Sequence, residues 1–165
     1  MKDLYDIAWS TIIPKQLKKN GKAGHVACAL EAESGAVFTG ICIDVPCSIG
    51  ICAEQSAIAE MLKHGETKIK RLIAVYEDGS ILPPCGRCRE LISQLDFDNE
   101  DTVVAMDDGR EITLKKLLPE RWDRKWDSKK QLEAKLLNVI LQSWDLILKG
   151  ARSHLKTLEK GRYRT

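Results

Sequence analysis

Cys52-Ala53-Glu54 and, 33 residues from its first cysteine, Pro84-Cys85-Gly86-Arg87-Cys88 offer three thiols and one carboxylate at spacings that suit metal chemistry. Three thiolates hold a zinc ion through bonds of about 2.3 Å and leave a fourth tetrahedral position for water. Glu54 follows the first ligand by two residues. On a helix starting near Cys52 it stands beside that water without ligating the metal. A C-x-x-C alone also suits a structural zinc or a redox dithiol. A structural site wants a fourth protein ligand, for which Cys28, Cys42, Cys47, His25, His64 and His154 are the candidates. None of these pairs with another at ligand spacing. A catalytic zinc is therefore favoured, with structural zinc and a redox pair behind it.

The elements that must carry these groups alternate between α and β. Asp3 to Leu17 is expected as a helix broken at Pro14, followed by a Lys-rich connection to Gly24. His25 to Leu30 and Ala36 to Ile43 read as two strands joined by a turn at Glu33-Ser34-Gly35. Cys52 to Lys63 has helical composition and stops at His64-Gly65. Ile69 to Tyr76 is β-rich, a helix begins near Cys85, Thr102 to Met106 is a short strand, and Asp107-Asp108-Gly109 is a turn. Strands separated by helices imply an α/β sheet covered by helices. Both cysteine motifs then open helices, whose free N–H groups and partial positive charge favour thiolate over thiol.

Composition agrees with an enzyme working in a reducing, cytoplasmic setting. The 165 residues are enough for one core without disulfide staples. No run approaches 18 apolar residues, and the Lys2/Asp3/Tyr5 start does not read as a secretory signal. Three of the six cysteines belong to one motif, and Cys28 and Cys42 sit in strand-like runs as small hydrophobes.

C-A-E together with P-C-G-R-C-R resembles the cytidine deaminase superfamily, in particular the free-nucleoside cytidine deaminases and blasticidin S deaminase. The resemblance runs from about Ala23 to Trp122. It implies a three-layer fold with a mixed five-stranded sheet covered by helices and a deaminase domain over 1–122; residues 123–165 lie outside the resemblance and are expected as an amphipathic, basic helical extension. It implies a zinc-dependent hydrolase acting on C–N bonds of cyclic amidines, converting the 4-amino group of a cytosine nucleoside or a modified analogue to a carbonyl. Zn²⁺ would be held by Cys52, Cys85 and Cys88, and Glu54 would take a proton from water, deliver one to the ring and protonate the leaving amine. The Pro83 carbonyl would accept from the exocyclic amine, and the Ala53 N–H would donate to the pyrimidine carbonyl.

The departures from the family pattern concern the substrate. Where the family has F-x-G-x-N-x-E to read the ribose, this chain has Phe38-Thr39-Gly40-Ile41-Cys42-Ile43-Asp44. Cys42 replaces the Asn with a weak hydrogen-bonding group, and Asp44 stands for the Glu one methylene shorter. The family's aromatic two residues before V-x-x-A-L is Gly24 here, so ordinary cytidine is not expected to be the best substrate. The Arg that follows C-A-E in the three-cysteine tetramers is Gln55. Arg87, matched in blasticidin S deaminase, is expected to compensate the thiolate charge instead. Leu117-Leu-Pro-Glu-Arg-Trp122 resembles the L-L-P-x-x-aromatic that reaches a neighbouring subunit's pocket, which places Trp122 on the base. His25 and His64 match no family ligand and are expected at the surface or behind the ligand shell.

Residues 129 to 165 carry a net charge of +6 against −4 for the rest. Leu132, Leu136, Ile140, Trp144, Ile147, Ala151, Leu155 and Leu158 recur at helical steps, with Gly150 as a break. Packing of this stripe on a second copy leads, with docking on the same chain second. Expected partners are a pyrimidine nucleoside and a homo-oligomer, dimer or tetramer. Nucleic acid and membrane are not expected: a basic flank most often solvates a helix. A polynucleotide deaminase and a non-catalytic zinc-binding relative stand as alternatives.

Overall fold

The computed structural model describes residues 1–124 together with 132, 133, 136–141, 143, 144, 148 and 149. The chain divides into two compact units, Met1–Arg121 and Trp122–Thr165. In the first unit the elements run α1 (Lys2–Thr11), β1 (Lys15–Gln16), β2 (Lys22–Ala32), β3 (Val37–Asp44), α2 (Ala53–Lys63), β4 (Ile69–Tyr76) and α3 (Gly86–Leu95). A 3-10 turn (Phe97–Asp101), β5 (Val103–Ala105), β6 (Glu111–Thr113) and the single turn α4 (Leu114–Leu117) complete it.

One six-stranded sheet results, ordered β1-β2-β4-β5-β6 with β3 paired to the other edge of β2. Only β4 and β5 run parallel. The sixth strand is the two-residue β1, where a helix through Leu17 was expected. The helix stops at Thr11 because the chain turns extended at Ile12 (ψ 121) and Ile13 donates to the Gly24 carbonyl at 3.0 Å. Pro14 lacks the N–H that would continue the helix.

The central strands are buried on both faces, so their side chains sort by alternation. Leu72 and Ala74 of β4, with Cys28 and Leu30 of β2, meet Ala57, Ile58 and Met61 of α2 and Ile92 of α3. Ile73 and Val75, with Ala29, meet Leu4 and Ala8 of α1 on the opposite face. Helices on both sides of one sheet make the three layers expected. Each buried Leu or Ile contributes about 1.5–3 kcal/mol by leaving water.

Two close approaches fix α2 over β3. An added Cβ at Gly40 would lie 2.2 Å from the Ala57 nitrogen and 2.5 Å from the Ala53 carbonyl oxygen. Only glycine lets strand and helix backbones touch there. The far end of α3 is held by Asn99, buried, whose side chain accepts from Ile69 N–H at 2.7 Å and donates to Thr67 and Ile92 carbonyls at 3.0 Å each.

In the second unit, residues 132, 133, 136–141, 143, 144, 148 and 149 are helical. Leu132, Leu136, Ile140 and Trp144 of the expected stripe are exposed. Ile147, Ala151, Leu155, Leu158 and the break at Gly150 lie outside the described residues. No described helix is long and apolar enough to cross a membrane.

Candidate active site

Cys52 and Cys85 are the cap residues of α2 and α3, each in extended backbone (ψ 156 and 167). Two helix starts therefore meet above the sheet, and Cys88, one turn into α3, completes the group. The Cys52 and Cys85 sulfurs lie 3.8 Å apart and those of Cys85 and Cys88 3.6 Å. All three sulfurs fall within 4.8 Å of one another and none is in a disulfide. The edge of a tetrahedron with 2.3 Å zinc–sulfur bonds is about 3.8 Å, so the donor set fits zinc. Among the described residues no other His, Cys, Asp or Glu group forms a comparable cluster.

The electrostatics are those of crowded negative groups. Burial pushes the Cys88 thiol up, and the charges of Glu54 and Cys52 add to it. Burial also raises Cys52. At Cys85 burial is outweighed: the Cys88 N–H, the Cys88 and Cys52 thiols and the Arg87 N–H lower it below the usual thiol. A divalent cation relieves this mutual repulsion, which is the chemistry the donor set asks for.

Glu54 is 5 % exposed. Burial raises its carboxyl above the usual range, against the opposing bonds from its own N–H and the Cys88 thiol. Glu54 sits in the first turn of α2, two residues past Cys52, and its charge raises the thiols of Cys88 and Cys52. Ala53, the first residue of α2, is buried, and Pro83 is partly buried at the approach to α3. Gln55 holds its helix through its N–H to the Cys52 carbonyl at 3.1 Å, while its Oε1 is buried without a partner among the described residues. It supplies no counter-charge. The Arg87 guanidinium reaches the Gly50 carbonyl at 3.4 Å.

A cavity of about 280 Å³ opens from Cys52 and is lined by Cys42, Asp44, Ser48, Gly50 and His25 among others. Its floor is the loop from Val45 to Gly50, closed by reciprocal bonds between Ile43 and Ile51 at 2.9 and 3.0 Å. Cys47 and Ser48 in that loop both adopt left-handed backbone (φ 63 and 56), an arrangement that clusters at functional sites in non-glycine residues.

A shared zinc-type donor set, a buried carboxyl in the C-A-E turn and a three-layer sheet have a counterpart in known proteins. Residues 8–106 match the family model described as the cytidine and deoxycytidylate deaminase zinc-binding region. The chain belongs to this family. It is a C–N hydrolase of the cytidine deaminase type with zinc as its metal. The Blasticidin-S deaminase of Bacillus cereus is 28 % identical over 111 residues, covering 61 % of this chain and 78 % of the relative. The cytidine deaminase of Sporosarcina psychrophila is 33 % identical over 99 residues, covering 57 % and 71 %. The crystal structure of the cytidine deaminase from Bacillus anthracis superposes with a TM-score of 0.61 at 27 % identity, over 78 % of this chain and 93 % of that one.

Within this deaminase the structure brings Cys52, Cys85 and Cys88 together, buries Glu54 in the first turn of α2, and lines the adjoining cavity with Cys42 and Asp44. Trp122 opens the second unit and is 62 % exposed. Sequence reasoning missed one residue and left another without a role. Arg89 directly follows the motif and donates to the Pro84 carbonyl at 2.7 Å and the Leu117 carbonyl at 3.1 Å, bracing the turn into α3. Its place in P-C-G-R-C-R was the available signal. His25, expected at the surface or behind the ligand shell, is partly buried and lines the cavity. The adjacent Gly24 was its signal.

Proposed function

We propose that this chain hydrolyses the 4-amino group of a free cytosine nucleoside or a modified analogue such as blasticidin S, releasing ammonia. The observation that carries the reading is a buried carboxyl, Glu54, in the first turn of α2, two residues past Cys52 of the sulfur cluster. Bound by Cys52, Cys85 and Cys88, zinc supplies the Lewis acidity that makes water a nucleophile near neutral pH. Glu54 takes the proton released as water attacks C4 and hands it to the neighbouring ring nitrogen. It then takes the remaining hydroxyl proton and delivers it to the departing amine. Cytosine plus water thus becomes uracil plus ammonia, and the carboxyl ends as it began. The Pro83 carbonyl accepts from the exocyclic amine, the Ala53 N–H at the start of α2 donates to the ring carbonyl, and Cys42 and Asp44 face the sugar. Arg87 offsets the charge of the thiolates.

The test is the ultraviolet absorbance change of zinc-loaded protein with cytosine, cytidine, deoxycytidine and blasticidin S. Glu54→Ala is expected to retain zinc and fold while turnover falls by about 10³-fold or more, at the level of losing a general acid–base and its proton relay. Full activity in that variant sinks the assignment.

The same reading makes the enzyme a homo-oligomer in which Trp122 stacks on the base in a neighbouring copy. The exposed Trp122 and the exposed Leu136, Ile140 and Trp144 support it. Sedimentation velocity is expected to show a dimer or tetramer, and a monomer at micromolar concentration removes it.

A further inference from the structure

The pairing of β2 with β3 slips at the cavity wall. Ala23 is opposite Ile43 and Ala27 opposite Ile41, so four steps along β2 span two steps along β3. The extra residues lie between Ala23 and Ala27, beginning at Gly24, whose φ is +76 and whose absent Cβ would meet the Ile13 carbonyl oxygen at 2.2 Å. Bulges next to active sites re-aim a side chain. This one delivers His25.

His25 is partly buried, packs edge-on against Tyr76 (centroids 6.1 Å apart, planes at 87°), and lines the cavity that Cys52 also lines. It borders a second cavity of about 440 Å³ as well, as does Asp44. Its neighbour Cys42 is 8 % exposed and already engaged: Cys42 Sγ accepts the Val26 N–H at 3.3 Å and lies 3.4 Å from His25 Nδ1 and 3.6 Å from Nε2. One sulfur nearly equidistant from two ring nitrogens pairs with one at a time. The other nitrogen has no hydrogen-bonding partner among the described residues. A thiol is a weak donor and acceptor, whereas imidazole does both jobs well.

Resting on the deaminase reading, we infer that His25 is a specificity-determining residue that hydrogen-bonds the sugar of the substrate. In a cytosine nucleoside the sugar-bearing N1 lies across the ring from C4. A base with C4 at the sulfur cluster therefore turns its sugar toward the wall built by His25, Cys42 and Asp44. Cys42 holds the imidazole, and the imidazole meets the hydroxyls.

Calorimetry on full-length, zinc-loaded protein tests this, with Glu54→Gln as the background that stops turnover. Cytidine is compared with 1-methylcytosine, which keeps the base and lacks the sugar. His25→Phe keeps the ring against Tyr76 and removes both nitrogens. It is expected to weaken cytidine by about 10- to 100-fold, the size of one lost hydrogen bond in a part-buried site, and 1-methylcytosine by less than about threefold. His25→Gln, which keeps a donor and an acceptor, is expected to restore most of the ratio. With Glu54 intact the loss on cytidine is expected in KM with kcat nearly kept. The same split is read from His25→Gln against His25→Met if Phe proves too large for the site. Equal losses on both ligands, or no loss on either, overturn the assignment of His25. Unsubstituted protein that turns over neither ligand but binds cytidine through His25 overturns the deaminase reading alone. Protein that neither binds nor turns over either ligand overturns both.

Discussion

The Cys52/Cys85/Cys88 cluster stands on the starts of two regular helices, whereas the opposite wall of its cavity stands on a bulged strand and a left-handed loop. The difference follows from what each end must do. A metal needs sulfurs held near 3.8 Å from one another, and two helix starts packed on one sheet are stiff enough to do that. The cavity wall turns polar groups inward from a strand whose ordinary alternation would send them elsewhere. Irregular backbone achieves this at positions where glycine or strained φ is tolerated.

Two glycines separate the ends experimentally. Gly40→Ala drives a Cβ to 2.2 Å from the Ala57 nitrogen, against the helix that carries Cys52 and Glu54. Backbone on backbone has no side chain to yield, so a loss of about 3 kcal/mol of stability is expected, the upper part of the overpacking range. Zinc retention against a chelator is expected to fall with it. Gly24→Ala forces a side chain into φ +76 and onto the Ile13 carbonyl, another backbone-on-backbone clash, with an expected cost of at least about 3 kcal/mol. Here the zinc stoichiometry holds and cytidine affinity falls. If Gly24→Ala releases zinc as readily as Gly40→Ala, the two ends are one cooperative unit and the comparison breaks.

The same contrast decides what was legible in the sequence. Ligand spacing is a local property, and Ala-rich α2 with its His64-Gly65 stop, or the unbroken apolar run of β4, announce themselves by composition. The sulfur cluster is therefore readable from the amino-acid sequence alone. The bulge was not, because it exists only as a register between β2 and β3, and its one local trace is Gly24. Pro14 marked the end of a helix but not that Ile13 would pair with Gly24 and leave room for β1. The short β6, the 3-10 turn and α4 are held by tertiary bonds, such as those of Asn99, which no periodicity encodes. Cys42 was noticed for the Asn it replaces. Its engagement with Val26 and His25 required the fold.

Arg87 links the two ends, since it lies in the first turn of α3 and its guanidinium donates to the Gly50 carbonyl on the loop that lines the cavity. If it also offsets the thiolate charge, Arg87→Gln weakens zinc retention, by less than about tenfold for an exposed cation near screened charge. Chelator competition at two salt concentrations reads this directly. Unchanged retention at both would leave Arg87 as a loop anchor only and would sharpen the division between the ends.

The smallest expected effect lies on the scaffold remote from both. Asp3 in the first turn of α1 accepts two bonds from the Arg71 guanidinium of β4, 2.9 and 2.5 Å, and Arg71 also pairs with Glu31 of β2. The bonds from Arg71 hold the Asp3 carboxyl down at about 2, below its ordinary 3.8, and lower Glu31 from its ordinary range. A carboxyl depressed on folding stabilises the native state above its unfolded value, and that contribution is lost as pH falls through the folded one. Asp3→Asn is therefore expected to lower the melting temperature slightly near pH 6, where Asp3 is fully exposed to solvent screening. The gap to the unsubstituted protein should narrow as pH falls below about 4 and close only below about pH 2. Thiolate protonation affects both proteins alike, so the difference isolates the pair. A gap that stays constant down to pH 2 would mean that Asp3 anchors α1 without its charge.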